Sequence, residues 1–440
     1  MTCARRPPFR SSSGCSSSAP PYGRTIPKRR RPRDRSSATG SDSRRRATTR
    51  WRGLTRWPLS PSGTSSANRI SGRCSSCSSR PSCSTAAIST RPSRCARSAS
   101  PTSPLAADAR RVLVTGGAGY IGSHAAKALA GAGCEVVVYD NLLAGHREAV
   151  RYGPLVEGDI GRVDDVRAAL REHRISAVMH FAALLDVGAS VRDPVSYYRT
   201  NVVGAVSVLE AMAAESVSHF VFSSTCATYG EPIETPITES HSQKPINSYG
   251  ETKLAVERAL PHFERAYGLK SVALRYFNAS GADPDGEIGE DHSPEIHLIP
   301  RAIEAANGGP GLEIYGDDYP TPDGTCLRDY IHVTDLADAH VKALDALVET
   351  GRSTAYNLGT GRPYSVKEVI QAVERVTGRT VPWTLGPRRA GDPAVLYAAP
   401  RKAQTELHWK PRFTDIESIV RTAWAWHERH PQGYGARAKQ

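Results

Sequence analysis

The 440-residue sequence contains no apolar run approaching the ~18 residues that a membrane-spanning helix needs, and no signal-peptide hydrophobic region near its start. A soluble, cytoplasmic protein with no membrane partner is therefore expected. Acid is almost missing from residues 1–109, which hold 3 Asp against 22 Lys or Arg; the remainder holds 35 basic and 41 acidic residues, so the net charge of +13 belongs to this leader. Cysteine is scarce where a fold would use it. Cys134, Cys226 and Cys326 are odd in number and widely spread, which excludes a disulfide framework and suits unpaired thiols in a reducing compartment.

The leader is rich in Ser, Arg, Pro and Thr and poor in aliphatic residues, so it cannot bury enough surface to offset chain entropy. Disorder is expected over 1–109. Arg-rich, acid-poor segments suit transit peptides or anionic partners, but no amphipathic face or aromatic stacking pattern accompanies the charge. The segment reads as a non-native extension, and no nucleic-acid partner is expected. Cys74 and Cys77, with Cys83 and Cys95, have a zinc-like spacing without hydrophobic residues to support a finger, so no metal is expected.

From residue 111, short β-branched runs (112–114, 135–139, 177–181, 219–223, 271–276) alternate with helical patterns (123–130, 163–170, 197–214, 249–267). This alternation predicts a doubly wound α/β fold of the Rossmann type, with six or more parallel strands. After Asn278 the chain turns loop-rich, as expected of a smaller α/β substrate domain. The predicted division is 110–278 for dinucleotide binding and 279–440 for substrate. The segment 328–350, opening with Arg328-Asp-Tyr-Ile-His-Val333, is sheet-compatible and is expected to return to the first domain.

Gly116-x2-Gly119-x2-Gly122 lies between a predicted strand and a predicted helix, the context in which such glycines serve a tight turn, the approach of pyrophosphate and close helix–sheet packing. Asp140 follows 24 residues after Gly116 at a strand end, where its carboxylate would accept from ribose hydroxyls and repel a 2′-phosphate, favouring NAD over NADP. Asp159, after the third strand, is a candidate adenine contact. Tyr249-x3-Lys253 places a phenol and an ammonium on one helix face, and the ammonium is expected to lower the phenol's pKa and make it a base. Thr225 ends a core strand at the sheet edge where ligands bind, positioned to share a proton with Tyr249.

Together these motifs resemble the UDP-glucose 4-epimerase family of extended short-chain dehydrogenases. The likeness runs from Arg111 to about Tyr434 and is carried by residues 112–124, Tyr139-Asp-Asn141, Gly158-Asp-Ile160, His180-Phe-Ala182, Asn201-Val202, the Thr225 and Tyr249/Lys253 motifs, Arg275-Tyr-Phe-Asn278, Arg328-Asp-Tyr-Ile-His332, Tyr356-Asn-Leu-Gly359 and Arg388-Arg-Ala-Gly-Asp392. The resemblance implies that Tyr120, Ile121, Asn141, Ile160, Phe181, Ala182, Asn201 and Tyr276 also line a tightly held NAD. It implies a homodimer and a uridine diphosphate anchor formed by Asn278, Leu298, Tyr315, Arg328, Arg389 and Asp392. Two positions depart from the pattern. Leu185 stands where a cofactor-contacting Lys is often found, and Leu396 where a Tyr beside the sugar's C2 substituent would exclude N-acetyl sugars. UDP-N-acetylglucosamine and UDP-pentoses such as UDP-xylose or UDP-arabinose are the alternative substrates. A nucleotide-sugar 4,6-dehydratase shares the fold and Tyr-x3-Lys but needs an acid–base pair next to the active-site Thr, where Cys226 and Ala227 stand here.

Overall fold

Val112, Leu113 and Val114 are fully buried from both sides, the signature of a strand covered by helices on each face. The computed structural model describes residues 110–389 and 392–435; the basic leader, its cysteine cluster and the expectation of disorder there lie outside the described residues. The first part of the chain lays down β1 (Arg111–Thr115), α1 (Tyr120–Gly131), β2 (Glu135–Asp140), β3 (Leu155–Glu157), α2 (Val163–Glu172), β4 (Ala177–His180), α3 (Val187–Arg192), α4 (Pro194–Tyr197), a π-helical segment (Tyr198–Gly204), α5 (Ala205–Ala214), β5 (His219–Thr225), α6 (Ser248–Tyr267) and β6 (Lys270–Tyr276). There follow β7 (Asn278–Ser280), α7 (Leu298–Ala306), β8 (Leu312–Tyr315), β9 (Leu327–His332), α8 (Val333–Thr350), β10 (Thr354–Leu358), β11 (Pro363–Ser365), α9 (Val366–Thr377), β12 (Trp383–Gly386), β13 (Val395–Leu396), α10 (Arg401–Glu406) and α11 (Ile416–Arg429).

Seven strands form one parallel sheet in the order β10-β6-β5-β4-β1-β2-β3. The doubly wound prediction therefore holds. One face packs Val112, Val114, Leu129 and Leu344 into a core with α1 and α8; the other packs Leu113, Phe220, Leu209 and Val256 against α2, α5 and α6. Strand order reverses around β1, flanked by β2 and β4, and such a switch point opens a crevice at the carboxyl ends of the strands.

Two expectations need correction. The Arg328–His332 stretch does not rejoin the large sheet: β9 pairs with β7, β11 and β13 in a separate small sheet. The return is made by α8, which packs on α1, and by β10, which pairs with β6; Tyr356 and Leu358 are buried there, while Arg328 must face a polar partner. The continuous helix expected over 197–214 is interrupted by the π-helical segment. Widened turns of this kind re-aim side chains, and this one directs buried Asn201 onto Leu184 and Thr252. A third core, of Ile299, Ile303, Val369, Val373, Ile419 and Val420, joins α7, α9 and α11.

Candidate active site

The turn between β1 and α1 is shaped by what its glycines exclude. A Cβ at Gly122 would meet the Gly116 carbonyl oxygen at 2.2 Å, so this position must be bare for the helix to sit on the turn. At Gly119 the nearest atom a Cβ would meet is 3.3 Å away, so protein packing does not demand glycine there. The demand is for open space above the start of α1. No side chain caps this N-terminus and its first turn holds no acid, leaving backbone N–H groups and the positive end of the helix dipole for an anion. Tyr120 and Ile121 follow in the first turn, and the Tyr120 hydroxyl donates to Gly281 O at 2.6 Å, tying the turn to the chain beyond β7.

Asp140 ends β2 beside this turn. Its carboxylate accepts from Ala118 N at 3.0 Å and Leu142 N at 2.8 Å, which fixes it while lone pairs remain for hydroxyls. Burial pushes its carboxyl upward and these backbone N–H groups oppose the shift. Asn141 and Asp159 are exposed at neighbouring strand ends, Ile160 is buried behind them, and Phe181 and Ala182 follow β4, both donating backbone N–H to Thr115 O. Asn201 is placed differently. Both ends of its amide are engaged, accepting from Leu184 N at 2.8 Å and donating to Leu184 O at 3.0 Å and Thr252 Oγ1 at 3.1 Å, so it holds the loop after β4 against α6. The bare Gly119, the uncapped helix and the fixed Asp140 fit a dinucleotide carrying free ribose hydroxyls.

Across the crevice, β5 delivers Thr225 to the sheet edge. Asn247 caps α6 by accepting from Gly250 N at 2.8 Å, and a Cβ at Gly250 would lie 2.4 Å from Ala227 O, so only glycine lets the helix start touch the turn after Thr225. That contact brings Tyr249 near the Thr225 hydroxyl, close enough for Thr225 to lower the phenol's pKa. Desolvation pushes the phenol well above its ordinary pKa, nearby Tyr276, Cys226 and Tyr197 add to the rise, and the Thr225 hydrogen bond opposes it. Lys253 is buried, its Nζ 5.1 Å from the Phe222 ring centre and donating to Ser223 O at 2.8 Å. Burial brings its pKa down to about 7, against the pull of Glu257. The expected lowering of the phenol by the ammonium is not seen in the protein alone: desolvation raises the phenol, and the lysine is turned onto the strand end. Tyr276 lies alongside, its hydroxyl 2.7 Å from Ser223 Oγ.

Of the candidate anchor residues, Asn278 and Arg328 lie on the small sheet, Tyr315 on β8 of the two-stranded β8–β12 sheet, and Leu298 in α7. Arg328 reaches Asp392 at 2.5 Å, Leu396 pairs in register with Arg328, and Arg389 lies 4.3 Å over the Tyr315 ring. Arg328, Asp392 and Arg389 all act electrostatically on Cys326, which places them together. Asn278 donates to Asp329 O at 3.1 Å, and Leu298 opens α7. Leu396 and Cys226 pack on one apolar cluster of Tyr229, Ile237, Phe277 and Ala398, a wall joining the small sheet to the turn after Thr225. Leu185 is partly exposed on the loop after β4 and offers no charge there.

Beneath the site lies a buried pair: Arg275, which opens one of the resemblance segments, and Glu257, which no motif marks. Arg275 grips Glu257 bidentately, the closest contact being 2.6 Å, and donates to the Tyr229 hydroxyl at 2.9 Å; Ser224 donates to Glu257 at 2.5 Å and Tyr229 to Asn357 at 2.7 Å. This network fastens α6 to β5, β6 and β10. The one signal available was spacing, since Glu257 follows Lys253 by four residues on the same helix face.

The model of the NAD dependent epimerase/dehydratase family matches residues 112–359. A UDP-glucose 4-epimerase of Lacticaseibacillus casei is 50% identical over 328 residues, covering 74% of this chain and 99% of its own. Among solved structures, UDP-glucose 4-epimerase from Brucella ovis in complex with NAD superposes with a TM-score of 0.71 at 55% identity, over 72% of this chain and 98% of that one. The enzyme from Stenotrophomonas maltophila with bound NAD and formylated UDP-arabinopyranose gives 0.71 at 42% identity, over 73% and 99%.

Proposed function

The chain belongs to the NAD dependent epimerase/dehydratase family, and from that premise we propose that it is a UDP-glucose 4-epimerase, inverting C4 of a UDP-sugar through a transient 4-keto sugar. The observation that carries this reading is the meeting of Thr225 and Tyr249 at the sheet edge, one helical turn from Lys253 and across the crevice from an uncapped, glycine-opened helix start.

A bound NAD would supply the reversible hydride chemistry at C4. Gly116, Gly119 and Gly122, with the N–H groups of Tyr120 and Ile121, would hold its pyrophosphate, and Asp140 its adenosine ribose; Asn141, Asp159, Ile160, Phe181, Ala182 and Tyr276 would complete the wall, with Asn201 fixing the loop that carries it. Tyr249 Oη accepts the proton of the sugar's C4 hydroxyl and later gives it back, and Thr225 Oγ1 holds that proton's path by hydrogen bonding to the phenol. The phenol is held high by desolvation, so neighbouring positive charge must offset that penalty; the Lys253 ammonium is the group the chain supplies. Arg328 and Arg389 hold the diphosphate by charge-assisted hydrogen bonds, with Asn278, Leu298, Tyr315 and Asp392 around the nucleotide. An anchor at the diphosphate leaves the ketone free to turn about its linkage and present its other face. Cys226, whose thiol burial pushes up to about 12, and Ala227 offer no acid for expelling a C6 hydroxyl, which disfavours dehydration.

We place the boundary between the dinucleotide and sugar-binding parts near Asn278, and expect a cytoplasmic homodimer. In support of the dimer, Val191 (64% exposed), Val195 (62%) and Val203 (56%) lie on adjoining elements α3, α4 and the π-helical segment, beside α6. The enzyme incubated separately with UDP-galactose, UDP-N-acetylgalactosamine and UDP-arabinose, with products read by NMR, tests the reaction and its breadth. Conversion of UDP-galactose is expected; absence of conversion for all three sinks the proposal. If Leu396 borders the C2 substituent, Leu396→Tyr abolishes any N-acetyl sugar turnover while leaving that of UDP-galactose, and equal loss of both refutes that placement.

A further inference from the structure

Between β7 and α7 the chain reads Glu290-Asp-His292-Ser-Pro-Glu295-Ile-His297, and its two histidines and two glutamates turn inward on one another. Four ligand atoms, one from each of Glu290, His292, Glu295 and His297, lie within 4.8 Å of one another. His297 Nδ1 is 2.7 Å from Glu290 Oε1 and 3.2 Å from Glu295 Oε1; His292 Nδ1 is 3.3 Å from Glu290 Oε1 and 3.6 Å from Glu295 Oε2. A tetrahedral ion bound at about 2.0–2.1 Å separates its ligand atoms by about 3.3 Å, within the span of these distances. Both histidines present the same ring nitrogen to the carboxylates.

A purely ionic cluster would be expected to place hydrogens between these atoms. Instead Glu290 Oε1, His292 Nδ1 and His297 Nδ1 are all buried without a hydrogen-bond partner, and the Glu290 residue is only 4% exposed. Donor atoms this close that do not satisfy one another leave lone pairs available to a shared ion. We propose that Glu290, His292, Glu295 and His297 bind one divalent transition-metal ion, zinc in preference, through two imidazole nitrogens and two carboxylate oxygens. The donor set argues for zinc: imidazole and carboxylate in a tetrahedral frame suit it, whereas magnesium and calcium want oxygen alone.

Four protein ligands leave no open position, so the ion is structural. His297 is the N-terminal flank of α7, next to Leu298; on the opposite side the His292 ring meets Tyr120 edge-on at 6.2 Å, one residue after Gly119. The ion would therefore fix the approach to α7 against the start of α1, linking the nucleotide-anchor segment to the dinucleotide turn. Gly289, packed on Trp426 and bonded to the Tyr434 hydroxyl at 2.9 Å, adds the C-terminal helix to the same joint.

The test is metal analysis of the full chain, first as purified and then after chelator stripping and reloading with zinc or cobalt. The expected result is about one ion per chain, a melting temperature lowered by chelator and restored by zinc, and visible tetrahedral cobalt bands without a thiolate charge-transfer band. His297→Ala and His292→Ala should lose the ion while retaining bound NAD. Stripping and reloading the unmodified protein supplies the same answer if either variant fails to fold. Failure to retain zinc after loading, with a melting temperature indifferent to chelator, would leave an ion-pair cluster and overturn the proposal. So would an ion that survives His297→Ala but disappears on Cys74→Ser and Cys77→Ser.

Discussion

Thr225→Val and Tyr249→Phe, made singly and together, probe the proposed hydrogen bond between the two hydroxyls on which the chemistry turns. Tyr249→Phe removes the base, and a positioned proton acceptor contributes about 10²–10⁴-fold; kcat for UDP-galactose conversion should fall by that factor with NAD still bound. Thr225→Val keeps the side chain's shape but removes a hydrogen bond to a group that is charged when it acts. Such bonds contribute about 1.5–3 kcal/mol, which is about 10- to 150-fold in kcat. The Thr225 oxygen also accepts from Ala227 N at 3.2 Å, so a stability loss of about 1 kcal/mol should appear separately in thermal melts. In the Tyr249→Phe background no hydroxyl remains to be held, and Thr225→Val should cost less than about 3-fold. Rates of all four proteins, measured at saturating substrate by NMR or a coupled assay, decide the matter. If the two single losses multiply in the double variant, the side chains act independently and the proposed proton path is wrong.

The dinucleotide turn offers a contrast between neighbouring glycines. Gly119→Ala should fold with a melting temperature lowered far less than that of Gly122→Ala yet lose co-purified NAD, because its Cβ meets only the Gly116 carbonyl oxygen at 3.3 Å, whereas a Cβ at Gly122 strikes that oxygen at 2.2 Å; equal melting temperatures and equal NAD content in both would contradict this account. Four histidines set the acid limit of the fold: burial pushes His124 and His340 down to about 4 and His180 and His332 to about 3. An unfolded chain protonates them near the ordinary value of about 6.5, so below that pH the unfolded state binds more protons and stability must fall with pH. Their contribution is complete above about 6.5 and disappears as pH drops through about 4 to 3. Urea midpoints should decline steeply from pH 6.5 to 4.5, less so in His340→Gln; a flat profile would refute the buried-neutral assignment.

Much of this arrangement is legible in the residues. Val112-Leu-Val114 next to a glycine-spaced turn predicts a buried strand feeding a phosphate-binding helix, because period and turn chemistry act locally. The Tyr249/Lys253 pair is equally local, its helix being capped by Asn247. What escapes the sequence depends on distant partners. Arg328 reads as part of a returning strand until Asp392, 64 residues later, shows why it faces the small sheet. The π-helical turn is invisible to helical periodicity because Asn201 is drawn toward Leu184 and Thr252. The phenol's pKa escapes for a related reason: spacing reveals a neighbouring ammonium, but neither the burial of the ring nor the electrostatic effects of Tyr276, Cys226 and Tyr197 around it.

The order in which the large sheet acquires its members bears on how the polypeptide emerges from the ribosome. Strand β6 is finished at residue 276, but its outer neighbour β10 is not synthesised until residue 358, and α8, which covers α1, comes only just before it. For some eighty codons the nascent protein displays an unsatisfied strand edge and a bare apolar helix face, both invitations to self-association. Excising the nucleotide-binding half at Asn278 would make that transient liability permanent. Premature termination between these points should yield inclusion bodies, whereas translation past Leu358 closes the vulnerable border.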